Sequence, residues 1–118
     1  MDIELYKKQI AETVTEPMLE FHADEDDFES WKKSIKKCEK LLLKYLDELD
    51  QMKEPTNAVI LKHVKNVVLA LNRLNEDTEY ELIETEEREA IAEIIQNAAI
   101  VCGLQDPSDD ITEEWRDW

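Results

Sequence analysis

Between Phe28 and Met52 the apolar residues Phe28, Trp31, Ile35, Cys38, Leu42, Tyr45, Leu49 and Met52 follow one another at alternating steps of three and four. A β-strand changes face at every residue and cannot gather that set on one side, whereas an α-helix does so at these spacings. The segment 27–52 is therefore read as a long helix with a continuous buried seam. Leu41 and Leu46 widen the seam, which suits a helix that meets several neighbours in a bundle better than one locked in a two-stranded coiled coil. Its other face carries Lys32, Lys33, Lys36, Lys37, Lys40 and Lys44, and Asp26 with Glu29 has the spacing of a capping box at its start.

The rest of the chain repeats the theme. Ile3, Tyr6, Ile10, Val14, Met18 and Phe21 keep a helical period over 3–22, with Pro17 either kinking that helix or opening a second short one in its first turn. The run Asp24 to Asp27 reads as a solvated connection. Pro55-Thr56-Asn57 stops one helix and caps the next, whose Val59, Ile60, Leu61, Val64, Val67, Val68, Leu71 and Leu74 make so wide an apolar face over 57–74 that it is expected to be the most central helix. Asn75 is its expected left-handed cap. Thr85 offers a capping hydroxyl to a fourth helix over 85–102, with Glu86, Glu87 and Glu89 near the positive end of its dipole and Gly103 just past its end. Asp110 and Glu113 could cap a short C-terminal helix that aligns Ile111, Trp115 and Trp118.

One glycine and three prolines among 118 residues leave little material for β-hairpin turns. The expected fold is all-α: a single domain, residues 1–118, built as a compact up-and-down bundle of about four helices plus the short C-terminal one. A chain of this length buries roughly two-thirds of its unfolded surface, enough for a core without disulfides. Cys38 and Cys102 lie on apolar stripes with no ligand-spaced neighbour and read as buried thiols. No apolar run is long enough to span a membrane, and the acidic opening Met1-Asp2-Ile3-Glu4 is unlike a secretory signal, so a cytoplasmic, membrane-free protein is expected.

Charge is distributed unevenly. Of 16 net negative charges, 13 lie in the last 43 residues, where 15 acidic side chains face two basic ones, Arg88 and Arg116. Such a field draws in a basic partner and repels nucleic acid. The lysine stripe is flanked by Glu29, Glu39, Asp47 and Glu48, and it is expected to pair with the acidic half of the chain or with a second copy rather than with phosphate.

Catalytic chemistry finds no footing in the sequence. Paired carboxylates work as acid and base only in environments that separate their pKa values, and here they fall on polar helix faces and loops. There is no Gly-rich phosphate loop and no nucleophile elbow. The residues three before His22 and His63 are Leu19 and Ile60, not the glutamates of a di-iron bundle. Asp106, Ser108, Asp110, Thr112, Glu114 and Asp117 alternate like a calcium loop, but Ile111 stands where that loop needs glycine. No catalytic, cofactor or metal site is expected.

The functional expectation is a non-enzymatic protein-binding module that caps a basic site on a partner protein. Its small, acidic, helical character is similar in kind to bacterial immunity proteins and antitoxins, without a shared motif. The expected contact residues are Glu79, Glu81, Glu84, Glu86, Glu87, Asp109, Asp110, Glu113 and Glu114, with Trp115 and Trp118 as anchors if they do not instead close the end of the bundle. The alternatives are a structural homo-oligomer, with a homodimer as its simplest form, and a small metal- or metabolite-binding enzyme.

Overall fold

The computed structural model describes Met1–Trp118, and all of its regular structure is helical. Helix α1 (Ile3–Ile10) runs through a π-helical turn (Ala11–Thr15) straight into α2 (Glu16–His22); α3 (Phe28–Asp50), α4 (Asn57–Asp77) and α5 (Thr85–Cys102) follow. Short connections force each rod to run antiparallel to the one before it, giving four rods in an all-α, up-and-down bundle. Pro17 sits in the first turn of α2, as one of the two expectations had it. Just before it the Glu16 N–H reaches back to the Ala11 carbonyl, the five-residue bond of a π turn, so the rod continues without a break.

The seam of α3 is the hub of the fold. Ile35, Cys38, Leu42, Tyr45, Leu46 and Leu49 are buried, and α3 packs against α1, α2, α4 and α5 alike, whereas α4 packs on α3 and α5. Each fully buried aliphatic side chain here contributes about 1.5–3 kcal/mol. The expectation that α4 is the most central helix is thus corrected. Val59 of its wide apolar face is exposed to solvent and Leu61 is only half-buried, so the width counted from sequence exceeds the width that is covered. The Tyr45 hydroxyl stays inside the core by donating to the Ile95 carbonyl at 2.8 Å. Burial also pushes the Cys38 thiol up to about 12, leaving it an inert packing group.

Several caps differ from their expected form. Thr56 caps α4 by accepting from the Val59 N–H at 3.3 Å, and Gly103, at φ 122°, closes α5 with Leu104 N–H bonded to Ala99 and Gly103 N–H bonded to Ile100. Asp27, however, precedes α3 without a side-chain cap, and Thr85 is the first residue of α5 rather than its cap, which is Glu84. Asn75 lies within α4, two residues before its end at Asp77. Its buried side chain instead accepts from the Ile83 N–H at 3.0 Å, tying down the following loop.

The short C-terminal helix resolves into successive turns. At the head of these turns Asp110 Oδ1 accepts from both the N–H (2.9 Å) and the hydroxyl (2.6 Å) of Thr112. The segment 104–118 lies against α4 and α5 and is held there by three side-chain amides. Asn57 exchanges two bonds with Gln105 (2.9 and 3.0 Å). Gln96 donates to the Asp109 carbonyl at 3.3 Å and accepts from the Ile111 N–H at 3.0 Å. Asn72 donates to the Trp115 carbonyl at 2.7 Å and accepts from the Asp117 N–H at 3.1 Å. Leu104, Ile111 and Trp118, spaced seven apart, enter the core. No helix is long and apolar enough to cross a membrane.

Candidate functional site

The antiparallel order of the rods brings the α2–α3 connection and the α4–α5 connection to the same end of the bundle. The segments 20–29 and 76–87 that meet there carry thirteen acidic side chains and no lysine or arginine. All but Glu87 are exposed. A cleft of about 590 Å³ between α2 and the start of α5 is lined by Pro17, Glu20, Phe21, Glu84, Glu86 and Glu87. A second, of about 270 Å³, joins Asp27, Ser30 and Trp31 to Asp77, Glu79 and Glu81.

Two aromatic side chains stand out in this acidic surface. Phe21 is 63% exposed and Tyr80 is 55% exposed. Tyr80 is presented by an unusual backbone, since Glu79 and Tyr80 both adopt left-handed conformations (φ 58° and 63°). Each non-glycine residue in that region costs about 1–3 kcal/mol unless its surroundings enforce it. Here they do, through the Tyr80 N–H to the Asn75 carbonyl (2.7 Å), the Asn75 side chain on Ile83, and the buried side chains of Leu82 and Ile83.

Beneath the surface lies a polar pair. His22 is 2% exposed; its ring stacks on Trp31 with centroids 3.9 Å apart, meets Phe21 edge-on at 4.9 Å, and places Nδ1 3.0 Å from Glu25 Oε2. Glu87, 6% exposed, sits at the start of α5. Burial raises its carboxyl pKa and the charges of Glu86 and Glu84 add to that, while a bond to its own backbone N–H and the nearby His22 oppose it.

The expected contact residues divide into two groups. Glu79, Glu81, Glu84 and Glu86 lie on the acidic end with Glu87 beneath them. Asp109, Asp110, Glu113, Glu114, Trp115 and Trp118 belong to the segment along α4 and α5. Trp118 is 9% exposed and part of the core, and Trp115 is half-buried. The tail tryptophans thus close the bundle. Asp110 and Arg116 form a 3.1 Å ion pair, and the Arg116 guanidinium lies 5.4 Å from the centre of the Trp118 ring. Partial burial opposes the charge on Asp110, but the Thr112 bonds and Arg116 outweigh it and hold this carboxyl below its ordinary value.

The sequence reading missed Phe21 and Tyr80 as surface elements, and it had Asp24–Asp27 as a solvated connection without joining it to the contact residues. The signal for Phe21 was present in the stripe itself: Ile10, Val14 and Met18 advance in steps of four, and the next such step lands on His22. His22 accordingly takes the buried place, and Phe21 turns out to solvent.

A scan against protein-family models matches none, and neither a curated protein nor a solved structure is significantly similar to this chain.

Proposed function

We propose that this chain is a non-enzymatic, cytoplasmic protein-binding module whose acidic end caps a basic site on a partner protein, acting as a small inhibitor of the immunity or antitoxin kind. The observation that carries the reading is the exposure of Phe21 and Tyr80 within a surface of twelve exposed carboxylates. Carboxylates at this density steer a basic partner and set the encounter rate, whereas aromatic side chains supply the desolvated contact that slows dissociation. A surface whose only task was solubility would need the first feature without the second. The Glu79-Tyr80 backbone adds support as the one place where two left-handed non-glycine residues are adjacent, a conformation that recurs at binding and switch sites.

Tagged protein incubated with lysate of its source cells tests the proposal when wild type is compared with Glu84→Lys/Glu86→Lys and with Phe21→Ala. The expected result is one basic protein retained at low salt and released at high salt. Against that purified protein, the charge reversals should lower the association rate and Phe21→Ala should raise the dissociation rate. Retention that is indifferent to salt and to all three substitutions would remove the acidic end from the function.

A further inference from the structure

The lysine face of α3 finds no carboxylate partner outside its own helix. Lys32 lies 3.6 Å from Glu29 and Lys44 lies 3.9 Å from Glu48, both on the same helix, and Lys33, Lys36, Lys37 and Lys40 reach no carboxylate. No ion pair joins this face to the acidic half, which removes the intramolecular alternative raised by the sequence. All six ammonium groups are exposed on a chain of net charge -16. A cleft of about 360 Å³ opens beside them between the π turn, α2 and α3, lined by Leu19, Ile35, Lys32, Lys33 and Lys36 together with two carboxylates, Glu29 and Glu39, which Lys32 and the Thr15 hydroxyl already engage. Its Thr15 wall is fixed by a 2.8 Å bond from the Thr15 hydroxyl to Glu39.

We infer that this face is the docking site for the acidic end of a second copy of the chain, with Phe21 of one copy seated in the Leu19–Ile35 cleft of the other. The inference rests on the reading of the acidic end as a docking surface and extends it to self-recognition. Three features of the occupant match the site. It is rich in carboxylates and free of lysine and arginine, as a row of unpaired ammonium groups requires. Its exposed phenyl ring suits a cleft whose apolar floor is half-buried Leu19 over the buried Ile35, with lysines beside it, where cations favour an aromatic face. The cleft also has room for that ring, whereas the one beside Tyr45 and His63, at about 70 Å³, does not. Nucleic acid would supply phosphate but would meet the field of the whole chain without an apolar contact to offset it. Between copies the net charges also repel, yet at physiological salt screening acts over about 8 Å, so the local match of opposite charges governs the contact. A basic partner of the acidic end would compete with the second copy, so self-association would keep that end covered until the partner arrives.

The test is a charge swap on the intact chain, read by sedimentation at physiological salt. Wild type is expected to sediment above the 13.9 kDa of one chain, increasingly so with concentration. Lys36→Glu/Lys37→Glu/Lys40→Glu and Asp24→Lys/Asp26→Lys/Glu86→Lys should each sediment as monomers, and an equimolar mixture of the two should regain the larger species. Phe21→Ala should weaken association without abolishing the response to charge. Wild type that stays at the monomer mass, or a mixture of reversed chains that fails to associate, would overturn the inference. The lysine-face variant keeps the acidic end intact. If it still retains a basic protein from lysate while wild type shows no self-association, only this inference falls; if neither behaviour is seen, the proposed function falls with it.

Discussion

Two acidic segments, 76–87 and 104–118, look alike in composition and behave differently in the fold. In the first, the backbone is satisfied by the end of α4, the pinned turn at Glu79-Tyr80 and the start of α5, so the carboxylates are left to face water. In the second, Asn57, Gln96 and Asn72 supply the backbone with hydrogen-bond partners, and Leu104, Ile111 and Trp118 anchor it in the core. Charge density therefore does not mark a contact surface by itself. What separates the two is whether apolar side chains recur at a spacing that lets the segment be covered, and whether polar side chains stand ready on the neighbouring helices.

The contrast is most severely tested at the tail. Trp118→Ala should destabilise by about 3 kcal/mol in urea unfolding, at the low end for a buried tryptophan because its Nε1–H has no acceptor. Asn72→Ala, which removes a donor and an acceptor from the same stretch of backbone, should cost about 2 kcal/mol by the same assay. If both lie near zero, the tail is not held as described and the two segments are alike after all.

A pair of carboxyls sharpens the comparison with opposite signs. Glu87 has a raised pKa in the fold, so the native state holds its proton more tightly than the unfolded chain does, and its ionisation at neutral pH detracts from stability. Glu87→Gln should therefore stabilise at pH 7, by no more than about 1 kcal/mol. That advantage should fade as the pH falls through the raised value and vanish below the ordinary glutamate range near about 4. Asp110 has a lowered pKa, so its contribution is present at neutral pH and is lost as the pH falls through the depressed value. Asp110→Asn should therefore destabilise at pH 7 by about 1 kcal/mol, with the difference closing in acid. Unfolding midpoints across pH 3 to pH 7 test both. The smallest stability effect is expected for Glu84→Lys/Glu86→Lys, within about 0.5 kcal/mol, because these side chains are exposed and unpaired. A larger loss would mean that the acidic end is structural.

Much of this was legible in the sequence, and for physical reasons. Periodicity located α3, α4 and α5 to within a few residues because their stripes are long, and Gly103 marked the end of α5 because only a positive φ continues the chain there. The amides that hold the tail were not legible: Asn57, Asn72 and Gln96 become partners only when folding brings 104–118 beside them, and nothing in their local spacing announces it. Short-range caps also misled. Asp26 with Glu29, and Asp110 with Glu113, have capping-box spacing, yet α3 starts after Asp27 without a side-chain cap, and what Asp110 heads is a run of turns rather than a helix. The site was half legible: Glu79, Glu81, Glu84 and Glu86 came from charge alone, whereas joining them to Asp24–Asp27 and Phe21 required the antiparallel order of the rods.

The π turn has a consequence for the length of the first rod. Each residue of an α-helix advances the side-chain direction by roughly 100°, so a regular helix continued from Ile10 would turn Phe21 toward the core and His22 toward water. The wider turn at Ala11–Thr15 absorbs one residue and reverses that choice. In terms of insertions and deletions, this stretch holds one residue more than the path requires. Deleting a single residue between Ala11 and Thr15 should give an uninterrupted α-helix with His22 still inside, whereas the same deletion between Met18 and Phe21 would leave His22 out of phase with its stack on Trp31.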